Sequence, residues 1–506
     1  MTEAVAAAPP RPFGLFSKLI YGFGTLAVGT KQVAFSAYLL IFYNQVVGVP
    51  AHLVSLAILG SLVIDAICDP IIGQVSDNFR SRWGRRHPFM YFAALPTAVL
   101  FALLWVPPAG WSDIGLVAYM FAIGTASRIF ITLYEIPASA LTHEFTPDYD
   151  KRTSLMSFRY FFGYVGGLGT SVLALKVFLT PTAEFPVGQL NPVGYMQYGL
   201  AGAAIIFVSI LVSTAGTHNR IKDLPQAVPK ARRSLGAILR EMGTTVRHKA
   251  FLQILSFGVL KYTAMGLTSA MAIYFGIYVW GLGANGLALL SLDGIVSVSL
   301  ALVVAPVVSR RFGKKNAAIF LAVGGVMLGL LPFVLRMGGV FFANGDPALL
   351  WTLLAFQVVT GIGTATSAIL VSSMIADVVD DSARRTGRHS AGLFFAASSF
   401  MQKCTGGPGV MAAGIVLSLA AFPAGARPGQ VAPEVIDSLL MAYVPVIAGF
   451  WAVAAVILSF YKIDRAAHEE NVRSFQAGAA GTEMLGSEDP QGDPAYTPPL
   501  VTPAAR

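Results

Sequence analysis

The sequence repeats one pattern along almost its whole length: an apolar block of about twenty residues followed by a short polar connection. A bilayer core about 30 Å thick requires about twenty apolar residues per helix, so each block is long enough to cross a membrane. Only 12% of the residues are charged, whereas a soluble domain carries about 25%. The pattern predicts an all-α integral membrane protein with twelve transmembrane helices, at residues 17–43, 51–77, 88–107, 113–140, 154–180, 195–217, 250–280, 285–309, 317–338, 349–374, 391–421 and 437–461.

A long basic stretch divides these spans into two groups of six, and a short motif recurs in both groups. Arg82-Trp83-Gly84-Arg85-Arg86 follows the second span, and Arg311-Phe312-Gly313-Lys314-Lys315 follows the eighth. Matching turns in the two halves indicate duplicated bundles around a central pathway, as in secondary transporters. We therefore predict two six-helix bundles at 17–217 and 250–461, with an N-terminal tail 1–16, a basic linker 218–249 and a largely disordered tail 462–506.

Positive charge is concentrated in alternate connections between the spans. Lys and Arg gather within residues 80–86, 220–249, 310–315 and 384–388, and the intervening connections are nearly free of them. This positive-inside pattern predicts a multi-pass protein of a bacterial-type inner (plasma) membrane with both termini in the cytoplasm. Because the placement accounts for the net charge of +9, we expect a lipid bilayer and no nucleic acid around the chain.

Two carboxylates lie within the second predicted span. Asp65 and Asp69 are four residues apart and therefore project from one helix face, and Pro70 leaves a backbone carbonyl near Ala66 without its helical partner. Such charges are costly in a membrane and require a reason. They suit a monovalent cation or a shared proton, and the Thr132 hydroxyl of the fourth span can complete the site. The alternative is a purely structural pair of salt bridges.

Further ionisable residues lie in other spans. Glu135 can accept hydrogen bonds from substrate hydroxyls, and Arg159 is either a fork for polar substrate atoms or the counter-charge of Glu135. Lys403, in the eleventh span, is a partner for the acidic pair. For the others, local pairing or snorkelling is the simpler interpretation; these are Lys31, Lys261 and Asp293.

Two charge clusters lie at or beyond helix ends on the predicted cytoplasmic side. They are predicted to form salt-bridge networks that hold one conformation closed, and the alternative is a solvated run of charges. Asp77, Arg85 and Arg86 make up the first cluster, and Asp377, Asp380 and Arg384 the second.

Several motifs together carry a family likeness. Asp65-Ala66-Ile67-Cys68-Asp69-Pro70, Glu135-Ile136-Pro137, Arg159-Tyr160-Phe161-Phe162 and Gln402-Lys403 resemble the glycoside–pentoside–hexuronide:cation symporters, melibiose-permease-like members of the major facilitator superfamily. The resemblance extends over almost the whole chain and implies the major facilitator fold.

The resemblance implies a role for each matching position. Asp65, Asp69 and Thr132 would form the cation site, Glu135 and Arg159 would bind substrate, and Lys403 would lie near the cation. Cys68 stands where the sugar transporters have an ion-selecting Asn, which leaves Na⁺ and H⁺ both open. Two substrate-binding positions depart from the family pattern, because Gly29 replaces an acid and Ser139 replaces an aromatic residue.

These observations predict a transporter that moves a glycoside or related sugar together with Na⁺ or H⁺ by alternating access. Residues 137–142 resemble a vertebrate sodium-dependent lysophosphatidylcholine transporter, so the alternative cargo is a lysophospholipid or other amphipathic solute, which requires a lateral opening. We expect no enzyme, because His52 lies at the end of a span and the other histidines, His87 and His218 among them, fall in polar connections or tails. A sensor without transport is a further alternative. We expect no cofactor beyond a coupling Na⁺, and a functional monomer.

Overall fold

The chain folds into twelve apolar helices over the residues that the computed structural model describes, which are 14–146, 149–223, 249–386 and 406–460. All but one of these helices are long and apolar enough to cross a membrane. They are α1 Leu15–Val46, α2 Ala51–Asn78, α3 His87–Leu104, α4 Asp113–Phe145, α5 Tyr149–Leu173, α6 Pro192–His218, α7 Lys249–Tyr274, α8 Ala284–Phe312, α9 Lys314–Met337, α10 Pro347–Thr386, α11 Gly406–Leu419 and α12 Pro433–Ser459. The predicted all-α membrane fold is therefore confirmed.

The helices follow the predicted spans but differ at their ends. The tenth span was expected to end at residue 374, whereas α10 continues to Thr386, because a helix can extend its polar last turns beyond the apolar layer. The shorter helix, α11, covers the second part of the predicted span 391–421, and residues 387–405 lie outside the described part of the chain.

Wider, π-helical turns occur where three helices approach one end of the molecule. α1 contains two, at Ala34–Tyr38 and Phe42–Val46, and α5 and α7 continue into Ala174–Phe178 and Phe275–Val279. π-Helical turns are rare in proteins and are frequent at functional sites. No feature of the one-dimensional pattern predicted them.

Helices α1–α6 form an N-terminal bundle, and α7–α12 form a C-terminal bundle. We call the end of the molecule where α1 ends and α2 begins the distal end, and the opposite end, where α6 and α12 end, the terminal end. At the distal end, Tyr274 Oη donates a hydrogen bond to Asn44 Oδ1 (2.8 Å) and Tyr278 Oη donates one to Gln45 Oε1 (3.0 Å). These contacts join the two bundles.

The loop between α11 and α12 completes this contact. Ala426 N donates to Gln45 Oε1 (2.9 Å), Gly425 N donates to the Asn44 carbonyl oxygen (3.1 Å), and Gln45 Nε2 donates to the Pro423 carbonyl oxygen (3.2 Å). We call this set, centred on Asn44 and Gln45, the distal latch. It closes the pathway between the bundles at the distal end.

At the terminal end, the ion pairs between described residues stay within one bundle. Arg86 Nη2 lies 2.9 Å from Asp77 Oδ1, and Arg85 Nη2 lies 2.7 Å from Glu144 Oε1, all in the N-terminal bundle. In the C-terminal bundle, Lys314 Nζ donates to both carboxylate oxygens of Asp377, at 2.7 and 2.8 Å. The distal latch thus joins the two bundles at one end, whereas each of these ion pairs joins residues of a single bundle.

α1 and α5 pack backbone against backbone through glycines. A Cβ atom on Gly29 would overlap the Gly163 carbonyl oxygen and would lie 2.7 Å from the Gly167 nitrogen. Hydrogen bonds reinforce the contact, since Thr30 and Thr170 join their hydroxyls at 2.9 Å. Small residues permit such close approach of membrane helices. This packing fixes α5, and with it Arg159, against α1.

Candidate functional site

The central feature of the interior is the carboxylate of Asp65 on α2. Thr132 Oγ1, on α4, donates a hydrogen bond to Asp65 Oδ1 at 3.0 Å, and Arg128 Nη1 lies 3.9 Å from Asp65 Oδ2. All three residues are buried. The Arg128 guanidinium also lies over the Phe35 ring, 4.2 Å from its centroid. Asp65 and Thr132, which the sequence predicted to share a cation site, are thus in contact. The Arg128 contact is an ion pair between helices, of the kind that the structural alternative requires.

Asp69 and Cys68 lie on the same helix, about one turn further along. Both are partly exposed, whereas Asp65 is buried. Among the described residues, no group of three or more His, Cys, Asp or Glu side chains is arranged to hold a metal ion. Any monovalent cation at this place would therefore use the two aspartates together with neutral oxygens such as the Thr132 hydroxyl. Oxygen ligands of this kind suit hard cations.

Two cavities lie between the bundles, and they share part of their walls. One has a volume of about 460 Å³ and is bordered by Asp65, Arg128 and Lys31, and by Tyr262 of α7. The other has a volume of about 780 Å³. Glu135, together with Val28 and Gln32, borders both. The surroundings of Asp65 and the larger cavity are thus in contact through Glu135.

The larger cavity brings together the residues that the sequence predicted for substrate. Arg159, Glu135, Ser139 and Gly29 all border it. Arg159 is 7% exposed, its guanidinium lies 5.3 Å from the centroid of the Tyr21 ring, and its Nη1 has no hydrogen-bond partner in the described chain. A buried guanidinium with a donor to spare is suited to bind polar atoms of a ligand.

The aromatic side chains that border this cavity lie on α5, next to Arg159. Tyr160 and Tyr164, one helical turn apart on α5, both border the cavity. The family resemblance indicated a lost aromatic residue at Ser139, so α5 supplies ring surface where α4 lacks it. The signal was visible as aromatic residues four apart beside Arg159, but their direction could not be inferred from the sequence.

Several predicted residues fall elsewhere or outside the described chain. Lys403 lies outside the described residues, and the side chains of Asp380 and Arg384 are likewise not described. The ion-pair partners predicted for Asp77, Arg85 and Arg86 are now defined, and Glu144, which the sequence did not suggest, joins them, with Arg86 Nε also hydrogen-bonded to Glu144.

The expectation for His87 was wrong. His87 is the first residue of α3 and is fully buried, with Nε2 3.1 Å from Thr217 Oγ1 and its ring 5.8 Å from that of His218. It packs between α3 and α6 at the terminal end and is not part of a polar connection.

The fold and this site can be compared with known proteins. A profile of the MFS/sugar transport protein family matches residues 20–465. The chain belongs to this family. The predicted family is therefore confirmed, and so is the prediction that the chain is a transporter and not an enzyme.

Relatives within the family span nearly the whole chain. An isoprimeverose transporter from Lactiplantibacillus pentosus is 25% identical over 88% of both chains. A glucuronide carrier protein homologue from Escherichia coli is 25% identical over 88% of this chain and 91% of its own. The sphingosine-1-phosphate transporter MFSD2B from Mus musculus is 26% identical over 84% of each chain.

Solved structures agree on the fold. A D-xylose–proton symporter superposes with a TM-score of 0.62 at 13% identity, covering 89% of this chain and 98% of the symporter. This MFS/sugar transport protein is therefore a multi-pass membrane transporter with the major facilitator fold.

Proposed function

We propose that this chain is a secondary active symporter that moves a glycoside-type solute together with Na⁺ or H⁺ by alternating access. The observation that carries the proposal is the position of Glu135, which borders both the cavity at Asp65 and the larger cavity at Arg159. A residue in contact with both sites gives cation binding a direct route to solute binding. The names of the isoprimeverose and glucuronide relatives support a sugar-type solute.

The coupling step begins at Asp65. In this arrangement Arg128 is its cationic neighbour, at 3.9 Å, and Thr132 donates to its other oxygen. A cation held by Asp65, Asp69 and the Thr132 hydroxyl would take over the neutralising role of Arg128. Arg128 borders the same cavity as Glu135, so a change at Asp65 alters the field that a solute meets there.

The state of the pathway follows from the distal latch. If both termini are cytoplasmic, as the charge pattern predicts, the distal end faces outward, and the distal latch joins the bundles on that side. The cycle then requires the distal latch to open and the terminal ends of the bundles to approach each other. Moving one positive charge across 100 mV supplies about 2.3 kcal/mol, which drives roughly fifty-fold accumulation.

A second candidate cargo is an amphipathic solute. The larger cavity is bordered by α5 of one bundle and by Ser291, Gly294 and Ile295 at α8 in the other, so it lies at a seam between the bundles. Tyr160 and Tyr164 are 68% and 59% exposed there, so their rings offer surface to an apolar chain. The similarity to the sphingosine-1-phosphate transporter favours the same cargo.

Uptake into proteoliposomes tests the proposal. The purified protein would be given labelled glycosides, uronides and a lysophospholipid under an imposed sodium or proton gradient. We expect one class to accumulate under one gradient, and Asp65→Asn to abolish accumulation while leaving downhill exchange measurable. Asp113→Asn, which removes an exposed carboxylate at the distal end of α4, is the matched control.

The outcomes separate the candidates. Accumulation of a glycoside or uronide identifies the sugar symporter, and accumulation of the lysophospholipid alone identifies the amphipathic cargo. If correctly oriented protein accumulates nothing under either gradient, or if Asp65→Asn accumulates solute as well as the parent protein does, the symport proposal is wrong.

A further inference from the structure

A cationic side chain inside the C-terminal bundle takes no part in the site described above. The side chain of Lys261, on α7, is 3% exposed and borders a space of about 40 Å³ between α7 and α10. The walls of this space are mostly aliphatic and aromatic, and Ser372 contributes a hydroxyl. In the described part of the chain, Lys261 Nζ forms no ion pair and no hydrogen bond, and the Tyr262 ring lies 5.7 Å away.

A buried ammonium without a counter-charge is unfavourable, because the protein interior replaces little of the hydration that the charge loses. A space of about 40 Å³ holds at most a few water molecules, which is fewer than a full hydration shell. Within membrane spans, ionisable residues of this kind are typically functional. An anionic partner in some state of the transport cycle would remove this cost and would keep the ammonium charged.

The described acidic residues do not supply that partner. Asp65 is paired with Arg128 and Thr132 in the other bundle. Asp293, in the C-terminal bundle, lies against Gly361 of α10, whereas the space at Lys261 begins at Ala368. Seven residues of α-helix separate those two positions by about 10 Å.

Asp377 is held by Lys314 at the terminal end of the C-terminal bundle, where both of its carboxylate oxygens accept hydrogen bonds from Nζ. The charge of Lys261 is thus not balanced by an acidic residue of its own bundle in the described chain.

Lys261 is separated from the transport pathway by one side chain. Tyr262 borders both the space at Lys261 and the 460 Å³ cavity that contains Asp65. On the same helix, Met265 lies four residues after Lys261 and also borders that cavity, so the two side chains share a helix face. Displacement of the Tyr262 ring would connect the two spaces.

We infer that Lys261 is the residue of the C-terminal bundle that binds the transported solute, and that the solute is an anion. This inference rests on the proposed function and specifies its substrate class: a glycoside bearing a carboxylate, or an amphiphile bearing a phosphate. The anionic group takes the place of the missing counter-charge as the bundles close on the solute. Arg159, on the opposite wall, binds the remaining polar atoms of the solute.

The test compares the binding of two sugars that differ at one carbon, where one carries a charged group and the other a neutral group. Methyl β-glucuronide carries a carboxylate where methyl β-glucoside carries a hydroxymethyl group, and lysophosphatidate supplies the phosphate arm. Binding to the purified full-length protein is measured by titration calorimetry, independently of any gradient, for the parent protein, for Lys261→Met and for Lys222→Met. Lys222 is an exposed lysine beyond the end of α6 and serves as the matched control.

We expect the parent protein to bind one of the two anions, and to bind glucuronide at least about tenfold more tightly than glucoside if the carboxylate is recognised. Lys261→Met should weaken that binding about tenfold or more, as loss of a charged hydrogen bond does, and Lys222→Met should leave it unchanged. Binding of glucuronide or of lysophosphatidate identifies the carboxylate or the phosphate, respectively.

Two results would overturn the inference: glucoside binding that equals or exceeds binding of both anions, or anion binding that Lys261→Met does not change. Absence of binding by both anions also overturns it. The proposed symport fails separately, since anion binding that depends on Lys261 without accumulation under either gradient rejects coupled transport and retains the anion site.

Discussion

The glycine at position 29 removes one acidic side chain that the family resemblance would place at the substrate cavity. The family resemblance indicates an acid at this position, yet a Cβ on Gly29 would overlap the backbone of α5 at Gly163. The glycine is therefore a packing requirement as well as a loss of a substrate contact. An acid at this place and the present approach of α1 to α5 exclude each other.

This leads to a stability prediction for position 29. Gly29→Ala should lower the free energy of unfolding by about 1–3 kcal/mol, because the added carbon forces the two backbones apart. Gly29→Asp should be worse, and should not create a sugar site. Gly169→Ala, on α5, is the control and should not destabilise, because a Cβ added there would have no atom within 4 Å. Thermal unfolding in detergent measures both, and equal stability of Gly29→Ala and Gly169→Ala would contradict the packing argument.

The hydroxyl of Thr132 permits a graded test of the cation site. Thr132→Val removes the hydrogen bond to Asp65 Oδ1 while keeping the shape of the side chain. We expect the concentration of coupling ion that gives half-maximal uptake to rise about two- to tenfold, since one such bond contributes about 0.5–1.5 kcal/mol.

The control for this prediction lies on the same helix. Thr125 is also buried, and its Oγ1 has no hydrogen-bond partner in the described chain. Thr125→Val should therefore leave the ion dependence unchanged. An unchanged ion dependence in Thr132→Val would remove Thr132 from the cation site.

Replacing Lys261 should raise the free energy of unfolding, whereas Gly29→Ala should lower it. Because its ammonium is buried without a counter-charge, Lys261→Met should stabilise the solute-free protein, by about 1 kcal/mol or more. Lys222→Met should have no effect. Thermal unfolding without ligand measures the difference, and a destabilised Lys261→Met would indicate that the ammonium has a structural partner.

Among the elements that meet at the distal end, the side chain of Gln45 makes several of the hydrogen bonds of the distal latch. Gln45 accepts from Tyr278 and Ala426 and donates to Pro423, so it joins α1 to α7 and to the loop before α12. Its amide is buried, and loss of it would leave two or more partners without a hydrogen bond. The closed distal end should therefore be sensitive to this residue.

Gln45→Ala should shift the population toward an open distal end. A cysteine at Ser36, which borders the 460 Å³ cavity, reports the change when Cys68 and Cys404 are replaced by serine. We expect an impermeant thiol reagent added from outside to react several-fold faster in Gln45→Ala. Gln189→Ala, another buried glutamine near the distal end, is the control. Equal rates in the two variants would show that the latch does not hold this end closed.

The two bundles have a second contact at the distal end, in addition to the distal latch. It lies at the seam where α5 of one bundle meets α8 of the other. Lys176 Nζ donates to Asn285 Oδ1 at 2.6 Å across this seam. Alternating access, as proposed above, requires the bundles to rock about the cavities between them, and this contact would have to open in each cycle.

Linking the bundles at this seam should stop transport. In a background without Cys68 and Cys404, cysteines at Lys176 and Asn285 joined by a short bifunctional thiol reagent should abolish uptake, because the distal end can no longer open. Each single cysteine treated with the same reagent should retain uptake. Full uptake by the linked protein would contradict the rocking mechanism.

The local pattern of the sequence determined most of the architecture. Apolar length and loop charge predicted the helices and the two halves, since each helix satisfies its backbone hydrogen bonds within itself and needs no partner to be recognised. The same local information made Asp65, Thr132 and Glu135 candidates for the site, because spacing along a helix decides which side chains share a face, and the family resemblance added a role for Arg159.

Contacts between distant parts of the chain were decided by the tertiary structure alone. The sequence could not show that Gln45 meets Ala426, that Gly29 touches Gly163, or that Tyr160 and not α4 supplies ring surface to the cavity. Local reasoning also suggested a nearby partner for Lys261, whereas the packed bundle leaves its charge without one in the described chain. Which way a helix face points, and which helix it contacts, depend on how the whole bundles pack. The residues of a single helix do not contain that information.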